Sequence, residues 1–131
     1  MKYEEIFRLK HLLEYFKIPF DFKENHFDGF HLMYPRKGDC VCSVIEFDGS
    51  YGAKQDLLEI QGLMTKREER ETDDTVLGYL TAVDVFNRIR KRYKKDLAIA
   101  TFKKEMTTFN LKNCNADKPD KLQKLIEEKL Q

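Results

Sequence analysis

Val41-Cys42-Ser43-Val44-Ile45-Glu46-Phe47-Asp48-Gly49-Ser50-Tyr51-Gly52 reads as a strand that runs into a glycine-rich loop. Val41, Ile45 and Phe47 fall on the two-residue period of a strand with one buried face. Asp48 to Gly52 carries two glycines, which suit a tight turn. Upstream, Pro35 to Asp39 forms a turn containing Gly38, preceded by the alternating Phe30, Leu32 and Tyr34. Asp28-Gly29 marks a hairpin turn, and Phe20 and Phe22 alternate ahead of it. Downstream, Leu58 and Ile60 give a fourth strand, and Val76 to Leu80 reads as a further short one. Short links between successive strands imply an antiparallel meander.

Helical spacing frames this sheet. Residues 3–17 place Ile6, Leu9, Leu13 and Phe16 on one helix face, and Pro19 ends the run. Thr65 to Asp74 is polar and acidic. Thr65 with Glu68 either caps one helical turn or belongs to a loop. Thr81 with Asp84 resembles a variant capping box before a helix striped by Val85, Phe86, Ile89 and Tyr93. Asp96 is expected to cap a further helix holding Leu97, Ile99, Phe102 and Met106. Asn110 to Pro119 reads as a linker, and 119–130 as a final helix striped by Leu122, Leu125, Ile126 and Leu130. The expected class is α+β: a small antiparallel β-sheet of about four strands packed on one face by helices. Residues 1–95 form the core domain, and 96–131 a helical extension packed on it.

A chain of 131 residues is large enough for one core without metal or disulfide support. A formal net charge of +1 argues against nucleic-acid binding over the whole surface, and equally against acidic mimicry of DNA. No apolar run is long enough to span a bilayer, and Met-Lys-Tyr-Glu-Glu is not a signal peptide. The odd count of 3 cysteines, with Cys40 and Cys42 flanking one residue, suits a reduced cytoplasmic protein.

A turn centred on Lys37-Gly38 sets Met33 opposite Cys42 and His31 opposite Val44. In that register Cys40, Cys42, Glu46, His31 and Met33 share one sheet face, and Leu32, Tyr34, Val41, Ile45 and Phe47 share the core face. Cys40, Cys42, His31 and Glu46, with His26 as an auxiliary, are then candidate ligands of a structural zinc ion. Against this, side chains two apart on a strand are about 7 Å from each other, wide for one ion, and free cysteine often packs as a small hydrophobe. A two-residue Asp28-Gly29 turn sets His26 opposite His31. A three-residue turn with Gly29 left-handed moves it away and keeps Phe20 and Phe22 on the core face, which buries more aromatic surface. Cys42 beside His31 is also a candidate thiolate and base. Tyr51 suits a protein-binding loop. Arg88, Arg90, Lys91, Arg92, Lys94 and Lys95 form a basic cluster that either contacts a partner or complements the helix dipole.

From about Tyr3 to Tyr93 the chain resembles a family of small accessory proteins of phages, prophages and integrative elements of Gram-positive bacteria. The resemblance rests on Tyr34-Pro35, Val41 to Glu46, Gly49-Ser50-Tyr51-Gly52, Asp56 to Ile60, Gly62-Leu63 and Val76 to Ala82. It implies a mobile-element protein in the cytoplasm of the infected host, without implying an activity. Some proteins of that origin and size act as anti-CRISPR inhibitors. The expected function is therefore stoichiometric inhibition, without catalysis, of a host defence protein, with a Cas9-type effector foremost. Two other classes stand beside it: a metal- or thiol-dependent enzyme using Cys42, His31 and Glu46, and a nucleic-acid-binding regulator using Arg88 to Lys95.

Overall fold

The computed structural model describes residues 2–112. The expected linker at 110–119 does not begin at Asn110, since the last helix runs to Lys112; the rest of it and the expected helix at 119–130 lie outside the described residues. The elements run α1 (Glu4–Tyr15), β1 (Asp21–His26), β2 (Gly29–Tyr34), β3 (Cys42–Glu46), β4 (Leu58–Gln61), α2 (Lys66–Thr72), β5 (Val76–Leu80) and α3 (Ala82–Lys112). The five strands form one antiparallel sheet in the order β1-β2-β3-β4-β5, so Val76 to Leu80 adds the fifth strand as an edge. The meander and the α+β class are as the sequence implies. Among the described residues no helix is long and apolar enough to cross a membrane.

The chain divides into two units, one ending at Lys91 and one beginning at Arg92. In the first, Ile6, Leu9 and Leu13 of α1 and Ala82, Val85, Phe86 and Ile89 of α3 are buried with Leu32, Tyr34, Cys42, Val44, Leu58 and Ile60 of the sheet. Each fully buried leucine or isoleucine contributes roughly 1.5–3 kcal/mol. Phe7 of α1 meets Phe22 and Phe30, which fixes the core face of β1 and β2.

The helix ends follow local chemistry. α1 stops before Pro19, because Lys17 turns left-handed (φ 56°) and the Ile18 amide returns to the Leu13 carbonyl at 2.9 Å. At α2 the helical alternative holds: Thr65 Oγ1 accepts from the Glu68 amide at 3.1 Å while the Glu68 carboxylate accepts from the Thr65 amide at 2.8 Å. Thr81 Oγ1 accepts from the Asp84 amide at 3.2 Å and opens α3. Asp96 does not start a new helix. It accepts from Arg92 Nε at 2.9 Å one turn back, and α3 runs on through a stretch without glycine or proline.

Two turns differ from expectation. The first hairpin turns at Phe27-Asp28, both at positive φ (51° and 63°), with His26 opposite Gly29. Gly29 is not left-handed. It begins β2 because a side chain there would overlap the Glu46 carbonyl. The second connection sets Tyr34 opposite Cys42, Leu32 opposite Val44 and His31 opposite Ile45, one step from the expected pairing. A one-residue slip exchanges the faces of a strand. Cys42, Val44 and Glu46 therefore join the core face, while Ser43, Ile45 and Phe47 belong to the open face with His31 and Met33.

Candidate functional site

Of the expected zinc ligands, Cys40, Cys42, His31 and Glu46 are not brought together, and His26 alone lies beside His31. Cys42 and Glu46 point into the core, His31 lies on the opposite face, and Cys40 is exposed in the turn before β3. Among the described residues, no three side chains of His, Cys, Asp or Glu gather in a way that holds a metal ion. Burial, and secondarily Cys40, push the Cys42 thiol up to about 12 despite the opposing Arg88. A thiol so placed stays protonated at neutral pH and has no imidazole beside it. The set Cys42, His31 and Glu46 is thus divided between two faces of the sheet.

Glu46 has a separate setting. Its carboxyl group is buried, and neither oxygen makes a well-formed hydrogen bond. Beside it stands Asp56, which accepts the Glu4 amide at 3.0 Å and the Glu5 amide at 3.5 Å and so closes the N-terminus of α1. Burial first, then the Asp56 carboxylate, push Glu46 up to about 8; the nearby amides of Tyr3 and Ile6 offset part of this. At neutral pH the buried Glu46 therefore keeps its proton.

The basic cluster is largely occupied. Arg88 donates to both Glu68 oxygens at 2.6 and 2.5 Å, to the Leu63 carbonyl at 3.1 Å and to Asp84 at 3.3 Å. Arg90 lies over the Phe16 ring at 4.9 Å, and Arg92 pairs with Asp96. Lys91, Lys94 and Lys95 are exposed. The six residues therefore do not form one free patch: three arginines brace the protein and three lysines meet solvent.

Tyr51 lies where the sequence points, but with partners that the sequence reading missed. The loop after β3 folds back on the sheet. Ser50 Oγ accepts the Phe47 amide at 3.1 Å and donates to the Phe47 carbonyl at 2.8 Å. The Tyr51 amide donates to Glu59 Oε1 at 3.0 Å. Opposite Glu59, β5 bulges: Leu58 pairs with Leu80 but Ile60 with Leu77, which leaves Gly78 and Tyr79 as the extra step. The Tyr79 amide donates to the Tyr51 carbonyl at 3.3 Å. Gly78 is required there, since a Cβ would overlap the Tyr51 side chain, and a Cβ at Gly52 would come within 3.0 Å of the Tyr79 backbone. Loop and bulge thus lock together and present two tyrosines, Tyr51 51% and Tyr79 61% exposed.

Tyr79 sits at φ 60°, where a bulky side chain costs roughly 1–3 kcal/mol. Replacing Tyr79 with Gly is expected to raise folding stability by about 1 kcal/mol in urea titrations. Lower stability would mean that the ring carries structural weight. Phe27, 73% exposed and also at positive φ, projects from the β1–β2 turn. That turn, the end of β3, the start of β4 and the end of β5 all lie at one end of the antiparallel sheet. Phe27 packs on Phe47, with ring centres 5.4 Å apart. Phe27, Tyr51 and Tyr79 therefore crown the same end. The signal for Tyr79 was Gly78 inside a short apolar run, which marks a bulge.

Compared with family models, with curated proteins and with solved structures, the chain gave no match.

Proposed function

We propose that this protein works by binding another protein through the sheet end that carries Tyr51 and Tyr79. The observation that carries the reading is the strained, exposed Tyr79, locked by Gly78 and Gly52 against an exposed Tyr51. Bulky aromatics held rigid at the surface lose little entropy on binding and are enriched among residues that dominate interfaces. An exposed residue that costs stability and braces nothing visible points to a role outside the fold. Phe27 extends the surface at the same end. Occupation of Arg88, Arg90 and Arg92 by internal partners weighs against a phosphate-binding helix.

The resemblance to phage and prophage accessory proteins makes a host defence protein the first partner to test, and a Cas9-type effector the first among these. The predicted outcome is a near-equal stoichiometric complex with the purified effector that survives nuclease treatment. Tyr51→Ala and Tyr79→Ala are each expected to weaken it at least tenfold, with the Cα fold retained by circular dichroism. A complex dissolved by nuclease or by modest added salt would instead favour nucleic-acid binding through Lys91, Lys94 and Lys95.

A further inference from the structure

We infer that His26 and His31 form a two-imidazole site on the open face of the sheet for a divalent transition-metal ion of the zinc type. Three observations converge on it. First, the backbone is bent to bring the rings together. Regular pairing, which sets Lys23 opposite His31 and Glu24 opposite Phe30, would leave His26 on the core side. The register shifts between Glu24 and His26, with Asn25 left-handed at φ 62°, and this bulge turns His26 onto the face of His31.

Second, the ring spacing fits chelation. The two imidazole centres are 4.7 Å apart and tilted by 39°. Two imidazoles bound to one ion at about 2.0–2.1 Å through nitrogen hold their ring centres on the order of 5 Å apart. Third, one nitrogen of His31 is already held by a partner on the sheet. Its Nε2 lies 2.6 Å from Ser43 Oγ. A metal-bound histidine typically donates its second N–H to a fixed acceptor, which sets the tautomer and frees the other nitrogen for the ion. In the tautomer whose Nε2–H donates to Ser43, Nδ1 is the nitrogen left for the ion.

The surroundings suit a neutral imidazole. Burial, then the proximity of His26 and Lys23, hold His31 below its usual range, with Asp21 opposing. Phe27 and Phe47 pack against His26 and shield one side. Lys23, across the strand from His31, opposes a cation but is exposed and long enough to swing away. The remaining coordination positions are left to water. The cysteines and Glu46 take no part, because they lie on the core face or in the turn before β3.

The test uses tag-free full-length protein titrated with zinc chloride at neutral pH, followed calorimetrically and by the imidazole proton resonances. The chain has three histidines, so His11 serves as the internal control. The expected result is saturable binding of one ion per chain, abolished by His26→Ala and by His31→Ala but retained in His11→Ala and Cys42→Ala. The resonances of His26 and His31 should shift together while those of His11 stay, a readout that does not depend on any variant folding. Binding that survives both histidine variants, binding lost only on cysteine substitution, or no saturable binding would overturn the inference and leave the two rings as a packing contact.

Discussion

Glu46→Gln is expected to stabilise the protein by roughly 3 kcal/mol at neutral pH, an unusual gain for a single buried substitution. In the unfolded chain Glu46 titrates near 4.5, and in the folded protein near 8. Below 4.5 it is protonated in both states and costs nothing. As the pH rises from 4.5 towards 8, the unfolded carboxylate gives up its proton while the folded one must keep it. Folding then loses about 1.4 kcal/mol per unit. Glutamine has nothing to titrate, and its amide has two donors to offer the neighbouring Asp56. The gain should therefore vanish at pH 4.5 and be nearly full at pH 8. Urea denaturation of both proteins across that window checks it. A gain independent of pH, or a loss at pH 8, would show that Glu46 is not held neutral.

Arg88→Ala is expected to cost about 3 kcal/mol. Arg88 ties α3 to α2 and to the segment before α2. It grips Glu68 on α2 with two short hydrogen bonds, reaches the Leu63 carbonyl before α2, and pairs with Asp84 one turn back on α3. Its side chain is 17% exposed and that of Glu68 23%, so water screens the pair only partly. α2 buries no residue of its own, and its position depends on this clamp. Arg88→Lys is not expected to rescue, because an ammonium cannot span both oxygens. The Arg88 hydrogen bonds hold Glu68 down to about 2. The stabilisation from this pair is thus fully present above the ordinary value of 4.5 and fades as the pH falls towards 2, opposite in sign to Glu46. A loss well below 1 kcal/mol, or one unchanged in acid, would remove the clamp from the account.

The sequence was most legible where period and punctuation agreed. Ile6, Leu9 and Leu13 are the buried stripe of α1, and Val85, Phe86 and Ile89 that of α3. Leu32 and Tyr34 face the core as their alternation implies. β3 misled because both of its faces are apolar: Val41, Ile45 and Phe47 compete with Cys42 and Val44, and the larger set lost. Its register is fixed instead by the length of the connection from Pro35 to Val41, where the Val41 amide returns to the Tyr34 carbonyl at 2.8 Å. Nothing in a one-dimensional pattern reveals that closure. Glu46 was invisible as a core residue for the same reason, since a carboxyl group reads as polar until Asp56 is brought beside it. The single helix from Ala82 to Lys112 shows the converse error: Asp96 has the chemistry of a cap, but an arginine four residues earlier takes it.

Tyr51 was legible as an exposed aromatic in a glycine loop. Tyr79 was signalled only indirectly, by Gly78 inside a short apolar run, because its exposure depends on a bulge created by contact with residues more than twenty positions away. His26 was ambiguous from sequence for a related reason: one bulged residue decides its face.

The most direct measurement is a nuclease-treated pull-down from a Cas9-bearing Gram-positive lysate with four baits: the wild-type protein, Tyr51→Ala/Tyr79→Ala, Lys94→Glu/Lys95→Glu and His26→Ala. The account predicts one partner at near-equal stoichiometry with the wild-type and lysine baits, and its loss with the tyrosine bait alone. Equal recovery by the tyrosine bait, or no stoichiometric partner for any bait, would contradict a protein-docking role for the end of the sheet.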